Sequence, residues 1–416
     1  MSERSMKASC WHREVALALA LVGCLPAMAA EPGERRLTLG GFGTVGAIYH
    51  DQDGREYRRS NNQSRGAESG KIDFLTDSLV GLQLNAAWSQ QLEFVVQAVS
   101  RRDAERNWEP RLTRAFVRWA PDPSLMLRLG RLGYELLPRA DSRDIGYSYL
   151  PIRPPPEVFG LLPHDDFDGA DVVYTLPLGE GLGRAKLFGG HTGGKIAYAD
   201  GQQQRIDDSA IWGGHLEYLY ESWAFRVGTG VFLAHDEPQV DALVAALRQA
   251  GTPESQSLAD ELAKKERRTV FTSLGVAYDE SPWQLRLFLV QADSEHLPGP
   301  KLRFGTLLAG YTIDKLTPYA MFSVIDSYAD IRGTGLPDTP QTAPLNAAAR
   351  DAQTRAQPQQ HSFSLGLRYD IAPKIDLKVQ VDQVQLRGSS LVFDRNTPPQ
   401  VHGDMTVFGV ALDFVF

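Results

Sequence analysis

From residue 37 to the C-terminus the chain runs in short segments whose every second residue is apolar, the period of a strand with one greasy face. Sixteen such segments occur, at 37–50, 70–86, 91–101, 112–120, 125–134, 168–176, 182–190, 210–220, 223–234, 269–278, 283–292, 302–311, 316–327, 361–370, 374–385 and 405–416. Most are long enough to cross a hydrocarbon layer at a tilt. Their connections sort by length. Tight turns fall at Ser89-Gln90, Ala120–Ser124, Pro177–Gly181, Glu221-Ser222, Asp279–Pro282, Thr312–Lys315 and Ile371–Pro373. Longer polar connections lie at 51–69, 102–111, 135–167, 191–209, 235–268, 293–301, 328–360 and 386–404. A soluble sandwich has no reason to alternate seven short turns with eight long loops. A membrane barrel does, because one end carries short turns and the other long ones.

The aromatic residues repeat this division. Trp88, Trp119, Tyr174, Tyr218, Tyr220, Trp223, Tyr278, Trp283, Tyr311 and Tyr369 all sit beside the short turns, where a belt at one bilayer interface would put them. The last segment, MTVFGVALDFVF, places Phe408, Val410, Leu412, Phe414 and Phe416 on one face. The predicted fold is therefore all-β, a sixteen-stranded transmembrane antiparallel barrel, and closure spares its strands exposed edges. Two segments leave the strand pattern. Residues 240–268 have the Ala, Leu, Glu and Lys content of one or two short helices in an outer loop. Residues 333–360, rich in Gly, Pro, Ala, Gln and Thr, are expected to be mobile.

Ahead of the first strand, Arg4, Lys7 and Arg13 precede the apolar run VALALALVGCL at 15–25, too short to span a bilayer and typical of a secretory signal. Pro26 breaks the run and Ala27-Met28-Ala29 offers a small-x-small cleavage site, so residues 1–30 are expected to be removed and 31–416 to form the barrel. Leu21-Val22-Gly23-Cys24 also fits a lipoprotein box, which would make Cys24 an acylated N-terminus. The 416 residues hold 43 Lys+Arg against 51 Asp+Glu, and the chain from 31 onward 40 against 49. That balance gives no global pull toward nucleic acid. Both cysteines, Cys10 and Cys24, precede residue 31, so the barrel has no disulfide framework, thiol nucleophile or thiolate metal site.

With strands, alternating loops and the terminal Phe416 in hand, the sequence resembles the Gram-negative outer-membrane porins of the sixteen-stranded trimeric type, over essentially all of 37–416. The likeness lies in architecture and end signature, with no short motif unique to a subfamily. It implies a homotrimer among outer-membrane lipid and lipopolysaccharide, and a third outer loop folded inward to narrow the channel. The loop in that position is 135–167, with Arg139, Arg143, Arg153, Glu157, Asp165 and Asp166 as its candidate constriction charges. It lacks the compact acidic stretch of enterobacterial general porins, of which Pro156-Glu157-Val158-Phe159-Gly160 is a loose echo. Cation preference is therefore not carried over. The stiff Pro151–Pro156 tract suits a loop of fixed shape.

A bilayer fixes which strand face is outward, so alternation assigns the other face to the lumen. With Thr113, Ala115, Val117 and Trp119 outward, Arg114 and Arg118 point inward; with Leu125, Leu127 and Leu129 outward, so does Arg128. Arg131 breaks this lumen phase and is placed beyond a bulge or near an interface. The same reading puts Arg184, Lys186, Arg226, Arg286, Arg303, Arg368 and Lys378 on the lumen wall. Acidic lumen positions are fewer, at Glu93, Glu217, Asp376 and Asp382, with Asp171 near one mouth. Arg114, Arg118, Arg128 and Arg153 are expected to form the basic side of a constriction, since guanidiniums stay charged and hold carboxylate or phosphate bidentately.

The polar side chains form no recognisable catalytic set. His164-Asp165-Asp166, His191, His215 and His235-Asp236 are not paired with a nucleophile-bearing turn. His164, Asp165, Asp166 and Asp168 read as solvated loop charge rather than a metal site, and Gly40-Gly41-Phe42-Gly43 precedes no helix that could cradle phosphate. The expectation is a non-enzymatic outer-membrane porin without cofactor or metal, passing small hydrophilic solutes with modest anion preference. A substrate-selective porin for phosphate or small carboxylates, and a structural or adhesive barrel with an occluded lumen, stand as alternatives.

Overall fold

A computed structural model describes residues 36–416 apart from 104–107, 136, 138, 163–165, 198–202, 236–239, 265, 298, 390 and 395–400. The expected leader, Cys24, His164 and Asp165 lie outside the described residues. Among those residues sixteen antiparallel strands close into one barrel. They are β1 (Arg36–Tyr49), β2 (Leu79–Ala87), β3 (Leu92–Arg101), β4 (Arg111–Trp119), β5 (Leu125–Gly133), β6 (Asp166–Leu178), β7 (Gly181–Ala197) and β8 (Gln203–Tyr220), then β9 (Trp223–His235), β10 (Glu266–Glu280), β11 (Trp283–Ser294), β12 (Lys301–Tyr311), β13 (Leu316–Ser327), β14 (Gln360–Ala372), β15 (Ile375–Ser389) and β16 (Val401–Val415). Each pairs with its chain neighbours, and β1 closes on β16 through a register running from Phe42↔Val415 to Tyr49↔Phe408.

Closure is tight because small residues on β1 leave room for large ones on β16. A methyl group at Gly41 would collide with the Phe416 ring, and one at Gly43 with Phe414. The outer surface is a band of exposed apolar side chains, among them Leu39, Leu82, Phe94, Leu129, Leu187, Leu216, Leu289, Leu307, Phe363 and Phe408. A soluble protein would not leave so much apolar surface in water; a hydrocarbon layer is its natural solvent. At the short-turn end, Trp223 and Tyr278 pair across strands at 4.7 Å, as do Trp283 and Tyr311 at 4.8 Å.

At the opposite end the connections are long, and several pack inward or onto one another. L1 (50–78) contributes two short strands, 55–57 and 67–68, which form a three-stranded sheet with 392–394 from L8 (390–400). L3 (134–165) enters the barrel, and its residues 156–159 form one helical turn, α1 (Pro156–Phe159). The fifth long connection carries α2 (Asp241–Ala250) and α3 (Pro253–Leu262), with Thr252 capping α3 through its side chain to the Ser255 amide. The segment expected to be mobile holds a third external helix, α4 (Ala343–Thr354), whose Ala349 packs with Val244, Leu247, Leu258 and Leu262 of the other two. Its glycines and all its prolines but Pro358, which lies beyond the helix, fall before residue 346, and the Ala-rich stretch between is a good helix former.

Candidate solute path through the barrel

L3 divides the barrel interior, and three groups of side chains decide where it lies. Its first part brings Tyr134, Leu137 and Ala140 against Phe167, Phe188 and Ile211, which point inward from β6, β7 and β8. Its last part packs Val158, Phe159 and Leu162 against Phe288, Val290, Leu302, Phe304 and Ile325 of β11–β13. Between these apolar contacts, a row of polar groups fastens L3 to the wall formed by β13–β16 and β1. Lys378 donates to the carbonyls of Gly146 (2.8 Å) and Pro151 (3.4 Å), and Arg368 to those of Tyr147 (2.9 Å) and Tyr149 (3.4 Å). The Ile152 amide donates to Gln380 Oε1 at 3.1 Å.

Arg153 and Glu157 belong to this fastening, a correction to the reading that set Arg153 on the basic side of the constriction. Arg153 is 2% exposed, ion-paired to Asp77 and, at 3.1 Å, to Asp382, with its guanidinium over the Tyr57 ring. It faces no open space. Glu157 is 1% exposed and accepts hydrogen bonds from Gln360 Nε2 (2.6 Å) and Ser362 Oγ. Burial without a cationic partner pushes the Glu157 carboxyl above the usual carboxylate range.

On the opposite side L3 leaves a vestibule of about 760 Å³ against β4–β9, reaching the short turn Ala120–Ser124 and therefore opening at the short-turn end. Arg118, Arg128, Arg139, Arg184, Lys186 and Arg226 line it, with Asp122, Glu135, Asp141 and Glu217 as its acids. Arg128 is bonded to Asp171 (2.5 Å) and Glu135 (3.3 Å), Lys186 to Glu135 (2.6 Å) and Asp171 (3.0 Å), and Arg184 to Glu217 (3.0 Å). Arg118 lies 3.7 Å from Glu93. Burial opposes the Glu135 charge, but Lys186 and Arg128 override it and draw the carboxyl down to about 2. Arg139 and Arg226 differ from the others. Each donates to a backbone carbonyl, Ser148 O and Glu135 O respectively, and neither has an ion-pair partner among the described residues.

The remaining expected positions separate by strand geometry. Arg114 donates to Asp141 O (2.8 Å) from the inner face, Arg286 reaches Asp279 (2.5 Å) near the short-turn mouth, and Arg143 is buried within L3. Asp166 opens β6 and pairs with Arg111 at 3.0 Å. Arg303 points outward, contrary to the expectation. Its neighbours Leu302 and Phe304 are 1% and 6% exposed inside the barrel, where L3 supplies an apolar partner, so the intervening arginine takes the outer face and lies 5.0 Å over Tyr328. Thr113 also departs from its expected outward side. A bulge opposite Gln97/Ala98 turns it inward to donate to Gln97 Oε1 (2.9 Å). Arg131 stays in phase with the outward leucines and is held by Asp168 of β6 at 2.7 and 2.8 Å.

Several charged residues of this interior went unread in the sequence. Arg101 was accessible, because the alternation that places Glu93 inside also places Arg101 inside. Arg111 was hidden by the bulge two residues later. Arg58, Arg59 and Arg102 sit where no periodicity speaks. No family model matches the chain, and no curated protein sequence does. Solved structures do. The barrel superposes on the anion-selective porin from Comamonas acidovorans with a TM-score of 0.53, at 14% identity over 92% of this chain and 100% of that one. This chain has the porin fold. OmpF of Salmonella typhi, in complex with daunomycin, matches the same porin fold at 0.55 and 11% identity over 92% and 98% of the two chains. Outer-membrane expressed OmpT of Vibrio cholerae matches at 0.52 and 10% identity over 94% and 100%.

Proposed function

We propose that this chain is an outer-membrane channel through which small hydrophilic solutes diffuse passively, with a modest preference for anions. The vestibule carries the reading: six basic side chains line it against four acidic ones, and two of the six have no ion-pair partner among the described residues. Fixed cationic charge around a narrow aqueous space lowers the cost of an anion's entry and raises that of a cation. Guanidiniums hold that charge at every physiological pH. Selection in this reading rests on radius and charge, without a chemical step. In this reading residues 1–30 direct export and are removed, and the barrel sits in the Gram-negative outer membrane among lipopolysaccharide. It assembles as a homotrimer, as in the trimer form described for Vibrio cholerae OmpT.

Arg139 and Arg226 also favour a second reading, a selective porin in which they hold a phosphate or small carboxylate at a saturable site. Liposome swelling with the purified protein separates the two. The diffusion channel predicts swelling rates that rise linearly with solute concentration and are faster for small anions than for cations of equal size. Saturation with phosphate or a carboxylate would shift the assignment to the selective porin. Absence of swelling with any solute would overturn both and leave a structural barrel.

A further inference from the structure

His215 belongs to no catalytic set, but it meets one of the two vestibule arginines that lack an ion-pair partner among the described residues. It lines the vestibule from β8, in register with Lys186 of β7 and Gly228 of β9, and is 7% exposed. Its Nδ1 lies 2.9 Å from Nη2 of Arg226 on β9. The same Nη2 donates to Glu135 O of L3 at 2.5 Å, so both of its protons are in use. Arg226 Nε is buried and has no partner. The direction of the guanidinium is therefore set by two contacts, one from the inner loop and one from the His215 ring.

The contact to the ring also fixes a proton. A guanidinium nitrogen donates and never accepts, so Nδ1 has to present its lone pair and the ring proton sits on Nε2. A second proton would set two donors face to face across 2.9 Å. The charged groups acting on the ring are Arg226 of β9, Lys186 and Arg184 of β7 and Glu135 of L3. Glu135 is the one carboxylate of these four, and its oxygens are engaged by Arg128 and Lys186.

Two donors remain open. His215 Nε2–H and Arg226 Nη1 make no hydrogen bond to a described residue, and neither atom is shut off from solvent, so both face the aqueous vestibule. Nε2 is one carbon from Nδ1 in the ring, and Nη1 is one carbon from Nη2 in the guanidinium. The contact between ring and guanidinium thus keeps both donors within reach of a single carboxylate or phosphate. We infer that His215 is a positioning and specificity residue of the channel: its lone pair turns Arg226 toward the vestibule, and its Nε2–H joins Arg226 Nη1 in binding one oxyanion. An anion with several oxygen lone pairs can satisfy both donors, the arginine's bond being charge-assisted. The donor pair is the same from about pH 5 to 8, because the guanidinium never gives up its proton to the ring. This role deepens the saturable anion site of the vestibule and presupposes it.

Protein with nitrogen-15-labelled histidine in lipid nanodiscs tests the ring by NMR, the His215 signals being assigned by their loss in His215→Asn. The expected spectrum shows one bare and one protonated ring nitrogen at every pH from about 5 to 8, with the protonated one moved by phosphate or acetate and unmoved by equal chloride. Response to phosphate alone assigns the site to phosphates, and response to acetate alone to carboxylates. A ring that takes a second proton in this range, or that ignores both oxyanions, would overturn the role. In planar bilayers the same anions should block chloride current, with the half-blocking concentration raised about tenfold or more in His215→Phe. His215→Asn, which returns an acceptor to Arg226, should recover part of that loss. Block unchanged in His215→Phe, or no recovery in folded His215→Asn, would contradict positioning through Nδ1. If His215→Phe fails to fold, the wild-type spectrum and His215→Asn still decide. Anion-selective current with no response at His215 would remove this inference alone, whereas a silent barrel whose His215 responds to oxyanions would remove the conduction reading alone.

Discussion

Arg153 shows how a charge read as pore lining becomes a structural bolt. Its two carboxylates are themselves buried, and removing the guanidinium strands both. Arg153→Met is therefore expected to cost about 3–5 kcal/mol of folding stability, seen as a lower urea midpoint for the lipid-embedded barrel. A loss below about 1 kcal/mol, the worth of a surface pair, would contradict the buried network. Glu157 makes a prediction with a definite sign. Its folded carboxyl titrates above its ordinary range, so its contribution to stability is full at low pH and declines as pH rises through the raised value. The urea midpoint of Glu157→Gln should match wild type at low pH and exceed it increasingly toward neutrality. A constant difference would show that Glu157 ionises without penalty. The residue scale is also where sequence legibility was lowest. Arg303 was misassigned because its apolar neighbours were matched to lipid when they face an internal apolar core, and Arg111 went unread because one bulged residue reverses the inward phase.

At the level of elements, alternation located all sixteen strands, and turn length located both ends of the barrel. Boundaries slipped where polarity on both faces blurred the period: β2 begins at Leu79, nine residues after the expected start, while β7 and β8 extend into a long hairpin. Loop packing was legible only in outline. The ordinal position of L3 pointed inward, but its attachment to β13–β16 depends on Lys378, Arg368 and Gln380, residues more than two hundred positions away in the chain. The packing of L1 across the long-loop mouth had no signal, since its contacts are backbone carbonyls that every sequence provides. It nonetheless supports an expectation about gating. Arg58→Ala removes the guanidinium's bonds to the carbonyls of Asn61, Gln63, Ala197 and Leu391, and losing even one such bond costs about 1.5–3 kcal/mol, enough to raise the open fraction of L1 across the mouth roughly tenfold or more. Single-channel records should show longer dwell in a higher-conductance level; unchanged levels and dwell times would mean that L1 lies outside the conducting path.

The whole molecule is a barrel with an apolar outer band, an inner loop bolted to one wall, and a vestibule of surplus positive charge along the other. Its overall charge is negative, −8 for the full chain, so any anion preference has to come from the local distribution of charge. Neutralising both unpaired vestibule arginines, as Arg139→Gln with Arg226→Gln, should weaken anion preference while leaving the barrel folded. The reversal potential of single wild-type channels in planar bilayers under a KCl gradient decides whether the barrel conducts and favours anions. A lumen of surplus positive charge gives ohmic current reversing on the chloride side of zero. Reversal on the potassium side, or no current through correctly folded protein, would contradict it.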